Sequence, residues 1–211
     1  MRRRVWAVVP AKCPARAKSR LRPVLRDAER ARFARGLLEH VLGVLATPGL
    51  LDGVLVATDC DEVARLARRR GAATRGDRGA RSLAAVVDAA LADVGSRGAG
   101  AALVLMADLP RLAAADVRAV LAALEAHDVV VVPDHLGRHT NALALAPPTA
   151  LATRFGREDS FSAHCAAARS AGLRLAVLQN ERVAFDVDGP ADHARLLAGV
   201  DADVTRGAAG T

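Results

Sequence analysis

Four groups of residues in this chain have the type and placement to do chemistry. The first is a single carboxylate, Asp108, which closes the apolar run Leu103 to Met106 in AALVLMADLP. A run of that length reads as a buried strand, and ligands of open α/β sheets bind at the carboxyl ends of strands. The second is the pair Asp186 and Asp188 in FDVDGP, again past a short apolar run. Two carboxylates brought together from distant strand ends would make a Mg²⁺ site, because Mg²⁺ takes one or two carboxylates and fills its shell with water and substrate phosphates. Alternation along a strand sends Asp186 and Asp188 to the same side, so pattern alone does not choose between them; Asp188 lies nearer the loop.

The third group is the basic loop PAKCPARAKSRLRP, with Lys12, Arg16, Lys18, Arg20 and Arg22. Cations in a loop that follows a strand can cradle a polyphosphate, Lys as a point charge and Arg as a fork. The fourth is Thr140-Asn141 together with Gly156 and Ser160. Ser160 opens a helix, whose first N–H groups and dipole favour an anion. Each group also has an ordinary use: Asp108 and Asp188 as helix or turn caps, Ser160 as an N-cap, the basic loop as solvated surface. The chain has no G-x-G-x-x-G and no Walker A lysine motif, and its six histidines form no arrangement with a Ser or Cys nucleophile.

The elements that must position these groups alternate. Strands are expected at Val5–Val9, Gly53–Ala57, Leu103–Met106, Val129–Val132, Ala142–Ala146, Leu173–Leu178 and Val183–Asp186. Helices fall between them: one from Asp27 with Phe33, Leu37, Val41 and Leu45 on its apolar face, one with Val63, Leu66 and Ala67 inside, and others from Ser82, around Val117 to Leu124, from Ser160 and from Pro190. This order implies βαβ units and a largely parallel, Rossmann-like sheet in a three-layer α/β sandwich. One domain over 1–198 is expected, followed by a flexible tail over 199–211.

Composition narrows the classes. Of 211 residues 52% are hydrophobic, but the aromatics are only four Phe and one Trp, so Ala, Val and Leu must fill the core. The same shortage argues against single-stranded nucleic-acid binding, which needs stacking platforms. A formal net charge of +7 points to an anionic ligand. No run is long and apolar enough to cross a bilayer. The three cysteines, Cys13, Cys60 and Cys165, are odd in number and widely spaced, which argues against a disulfide framework or a zinc cluster and leaves a reducing cytoplasm as the default.

Taken in order, VVPAK, AKSRL, ADLP, TNAL, FG…SF and DVDGPAD resemble the CofC/FbiD-type guanylyltransferases, which make the phosphodiester precursor of the deazaflavin coenzyme F-420. The resemblance spans Val5 to about Leu197. It implies a GT-A-like nucleotidyltransferase fold and transfer of GMP from GTP to 2-phospho-L-lactate, phosphoenolpyruvate or 3-phospho-D-glycerate. By the same resemblance Asp108 and Asp188 hold Mg²⁺, Lys12, Lys18 and Arg20 line the GTP phosphates, with Lys18 also catalytic, and Thr140, Gly156 and Ser160 bind the acceptor. A homodimer is expected. Two departures touch the ligand pocket and leave the acceptor open: Leu83-Ala84-Ala85-Val86 lacks the family's Asn, and Arg157-Glu158-Asp159 replaces a shorter link. An acceptor phosphate is already an anion and needs no general base, so positioning and electrostatics suffice. The competing readings are another nucleotidyltransferase of the same fold, or a basic nucleic-acid-binding domain with steep salt dependence.

Overall fold

In a computed structural model, residues 3–77 and 79–208 are described, with side chains through 199. The strands are β1 (Val5–Pro10), β2 (Gly53–Ala57), β3 (Ala73–Arg75), β4 (Ala101–Leu105), β5 (Val129–Pro133), β6 (Thr140–Leu145) and β7 (Leu175–Val177). The helices are α1 (Asp27–Leu45), α2 (Asp61–Arg69), α3 (Leu83–Ser96), α4 (Ala114–Ala126), α5 (Ser160–Ser170), α6 (Glu181–Ala184) and α7 (Pro190–Ala208).

The seven strands form one sheet in the order β3-β2-β1-β4-β6-β5-β7, parallel except where β6 runs against β4 and β5. Alternation divides the core. Ala7 and Val9 pack on one face with Leu38 and Val41 of α1, Val63 of α2 and Val120 of α4, while Val8 packs on the other with Leu91 of α3 and Ala168 of α5. Both layers are built almost entirely from Ala, Val and Leu, as the scarcity of aromatics requires.

The topology fixes where a ligand can sit. The chain runs from β1 through β2 to β3 on one side, then returns to place β4 on the other side of β1. This reversal opens a crevice beyond the carboxyl ends of β1 and β4. Val8 pairs with Val104, so Lys12 and Asp108, each four residues further on, leave the sheet at the same level.

Four expectations are corrected. No strand forms at Val183–Asp186. Asn180 instead caps the single turn α6, its side chain accepting from the N–H groups of Arg182 and Val183. Arg182 and Asn180 also bond to buried Asp116, and β7 already occupies the edge beside β5. Asp186 and Asp188 therefore lie on a loop, where strand alternation does not apply. The strand expected from Ala142 begins instead at Thr140, which pairs with Pro133 of β5, and the three-residue β3 was not foreseen. Of the tail expected over 199–211, residues 199–208 continue α7, and 209–211 lie outside the described residues.

The fourth correction concerns the cysteines. Cys13 and Cys60 form a disulfide, which wide spacing in sequence had argued against. Register explains it: Pro10 of β1 pairs with Ala57 of β2, and each cysteine lies three residues beyond its strand's paired residue, with Cα atoms 5.2 Å apart. Cys165 is buried and free.

Candidate active site

The crevice between β1 and β4 holds a cavity of about 710 Å³. Its walls include Lys12, Lys18 and Arg20 from the basic loop, Asp108 from beyond β4 and Asp188 from beyond α6. Ser82, Leu83, Val86 and Met106 close the other side. A shallower hollow of about 830 Å³ along α5 is lined largely by Ala and Ser, with the Arg157–Asp159 pair at its edge, and shares none of these residues.

Three carboxylates meet here. One oxygen each from Asp108, Asp186 and Asp188 lies within 4.8 Å of the others. The residues that the pattern left as alternatives, Asp186 and Asp188, are thus both present. Hard oxygen donors in this number and spacing fit a divalent cation of the Mg²⁺ or Mn²⁺ kind. Lys18 reaches into the same cluster, its Nζ 2.5 Å from Asp108 Oδ2 and 3.5 Å from Asp188 Oδ1. Arg20 Nη1 lies 3.1 Å from Asp188 Oδ2 at the exposed rim.

The electrostatics follow from this crowding. Burial pushes the Asp186 carboxyl up to about 6, and the neighbouring charges of Asp108 and Asp188 push the same way against a hydrogen bond from Asn141. For Lys18, burial works to neutralise the ammonium, but Asp108, by charge and hydrogen bond, and then Asp188 and Asp186 outweigh it and hold the group above its ordinary value.

The support behind the carboxylates comes from β6. Val132 pairs with Ala142 while Pro133 pairs with Thr140, so Asn141 is the extra residue of a bulge. Bulges re-aim side chains next to sites. Asn141 Nδ2 donates to the carbonyls of Val183 and Ala184 and to Asp186 Oδ1, at 3.0, 3.2 and 3.2 Å. It thereby ties the acidic loop to the sheet. Asp192 accepts from the N–H groups of Asp188 and Gly189, which fixes the turn into α7.

Thr140, Gly156 and Ser160 come together at the start of α5, but none lines the cavity. Ser160 does not cap its own helix; its Oγ accepts from Thr140 N–H at 3.1 Å. Thr140 Oγ1 lies 3.0 Å from Nδ1 of His164, a fully buried residue. Arg154 N–H donates to His164 Nε2, so the ring proton is assigned to Nδ1, which donates to Thr140. Burial pushes this imidazole down to about 4 and keeps it neutral. Gly156 has φ +86°, and a Cβ there would stand 3.3 Å from Cβ of Leu83, itself a cavity wall residue. Of the three, Gly156 is the one placed against a cavity wall residue, Leu83.

Sequence reasoning left three supporting residues without a role. Asn141 was grouped with Thr140, but its hold on the acidic loop gave no signal because the bulge that turns it exists only in the pairing. His164 looked like one of six scattered histidines. Arg30, on α1, is buried to 2% exposure and donates to the Ala17 carbonyl at 2.8 Å, just ahead of Lys18. An Arg among helical surface charges gives no sign of that.

A family model described as "Guanylyl transferase CofC like" matches residues 5–206. A phosphoenolpyruvate guanylyltransferase of Rubrobacter xylanophilus is 42% identical over 199 residues, covering 92% of this chain and 94% of its own. Another of that name, from Sphaerobacter thermophilus, is 40% identical over 189 residues, covering 88% and 89%. Among solved structures, CMP:2-keto-3-deoxy-manno-octonic acid synthetase complexed with CTP superposes with a TM-score of 0.65 at 16% identity, over 95% of this chain and 99% of that one. At that identity the likeness shows the fold alone.

Proposed function

Because the chain belongs to the CofC-like guanylyl transferase family, we propose that it transfers GMP from GTP to the phosphate of phosphoenolpyruvate, releasing pyrophosphate, as a step toward a deazaflavin coenzyme of the F-420 type. The observation that carries this reading is the meeting of Asp108, Asp186 and Asp188 with a basic loop at the β1–β4 crevice. The choice of acceptor rests on the names of the two relatives at 40% and 42% identity.

In this reading Asp108 and Asp188, with Asp186 behind them, hold a divalent cation. When bound, that ion offsets charge on the α-phosphate and on the leaving pyrophosphate. Lys12, Lys18 and Arg20 bind the triphosphate. The acceptor phosphate enters against the wall formed by Leu83, which Gly156 backs, with Thr140 and Ser160 next along the chain's fold at the start of α5. The acceptor oxygen is an anion before it attacks, so the protein supplies alignment and charge rather than a proton acceptor. The buried neutral His164 fits this role, since it orients Thr140 and carries no proton to the reaction.

The test is pyrophosphate release with GTP, ATP or CTP crossed with phosphoenolpyruvate, 2-phospho-L-lactate and 3-phospho-D-glycerate. Fast release with GTP and phosphoenolpyruvate is expected. Release only with another acid would move the acceptor, and release only with another nucleotide would move the donor. A homodimer and a cytoplasmic location belong to the same reading, and light scattering of the purified chain checks the first. Among the described residues no helix is long and apolar enough to cross a membrane.

A further inference from the structure

Lys18 stands among the carboxylates themselves. Its side chain is 9% exposed, against 72% for Arg20, and its ammonium touches both Asp108 and Asp188. These carboxylates come from segments far apart in sequence, one beyond β4 and one beyond α6. Without a cation between them, three acidic groups this close would repel one another. A divalent ion held by the same oxygens and the Lys18 ammonium would carry like charge into one small volume, so both cannot stay there.

The loop around Lys18 is built so that the side chain can leave while the backbone stays. Lys18 lies between two short 3₁₀ turns, Pro14–Arg16 and Ser19–Leu21, and is the one residue other than glycine with a left-handed backbone among those described, at φ 53°. A side chain tolerates that conformation only where its surroundings impose it. Here buried Arg30 grips the carbonyl of Ala17, and the N–H of Leu21 donates to the carbonyl of Lys18 at 3.0 Å. The four-carbon stem then has a fixed root, its rotatable bonds leave the head several positions, and Lys18 lines the cavity with Lys12 and Arg20.

We propose that Lys18 is an exchangeable counter-ion of the carboxylate cluster: a divalent cation displaces its ammonium from Asp108 and Asp188, and the triphosphate receives the displaced charge. This rests on the divalent-ion reading given above. It makes metal and nucleotide binding mutually favourable, because each removes a cost that the other would face alone. A lysine suits the exchange better than an arginine, whose guanidinium forks onto a carboxylate through two bonds.

Removing the ammonium should therefore move two affinities in opposite directions. The test titrates Mn²⁺ alone into the purified full-length chain, following the resonance signal of free Mn²⁺, and separately measures binding of a non-hydrolysable GTP analogue. In Lys18→Met, Mn²⁺ binding is expected to tighten on the order of tenfold, the usual size of coupling between linked sites, while the analogue binds more weakly. Lys18→Gln is carried in parallel as a second neutral side chain, with circular dichroism as the check on folding. A lysine that only props up the loop would, on removal, weaken both ligands. Mn²⁺ binding no tighter in either variant than in the wild type overturns the proposal and leaves the divalent-ion reading standing. Failure of the wild type and both variants to bind Mn²⁺ overturns that reading, and the proposal with it.

Discussion

Replacing Asp186 by Asn should make the protein more stable while it removes activity. Asp186 is only 8% exposed, and its carboxyl titrates near 6 against an ordinary 3.8, chiefly through burial and then through Asp108 and Asp188. The sign follows from linkage. A carboxyl with a raised folded-state pKa favours folding in its protonated form, so its contribution is full below 3.8 and is lost as pH rises through 6. A shift of about two units corresponds to about 3 kcal/mol of stability forgone above pH 7. Asn keeps the oxygen that accepts from Asn141 and carries no charge into the cluster. Urea unfolding of wild type and Asp186→Asn, with chelator present, should show nearly equal stabilities at pH 4 and a gain for the variant of about 2–3 kcal/mol at pH 8. The comparison must be between the two chains at each pH, because buried His164, pushed down to about 4, makes its own opposite contribution between pH 6.5 and 4 in both. No gain at pH 8, or an equal gain at pH 4, would refute the claim that the cluster is electrostatically strained.

Asp188→Asn should abolish pyrophosphate release and leave the circular dichroism unchanged, since among the described residues the half-exposed carboxylate bonds to Lys18 and Arg20 and its own N–H is held by Asp192. Gly156→Ala should cost about 1–2 kcal/mol for a side chain at left-handed φ, and should raise KM for the acceptor more than for GTP because it presses on Leu83; thermal unfolding and steady-state kinetics check both. Cys60→Ser, compared with the oxidised wild type, should lower stability by up to about 4 kcal/mol for a loop of this length, given the 47-residue separation of the pair; urea unfolding with and without a reducing thiol reads it.

The parts of this molecule that are legible in the sequence are those set by local pattern. The apolar runs at β1, β2, β4 and β5 announce buried parallel strands, and the polar residues that follow them mark the crevice. Asp108, Lys12, Lys18 and Arg20 stand at these strand ends, and the cavity gathers all four. What pattern missed depends on pairing between distant segments. The Cys13–Cys60 contact needs the β1–β2 register, and the aim of Asn141 needs a bulge seen only against β5. The apolar run at Val183 is too short to separate strand from helix turn, and the Asn180 cap with Asp116 decides it. The choice between Asp186 and Asp188 dissolves for the same reason: on a loop both carboxylates turn toward Asp108.

The central claim is that Asp108 and Asp188 share a divalent ion opposite the basic loop. Anomalous diffraction at the manganese edge, from crystals grown with Mn²⁺ and a non-hydrolysable GTP analogue, tests it most directly. The expected result is a peak within coordination distance of both carboxylates and of the analogue's phosphates. A peak that leaves Asp108 or Asp188 uncoordinated, or phosphates bound away from Lys12 and Arg20, would contradict it.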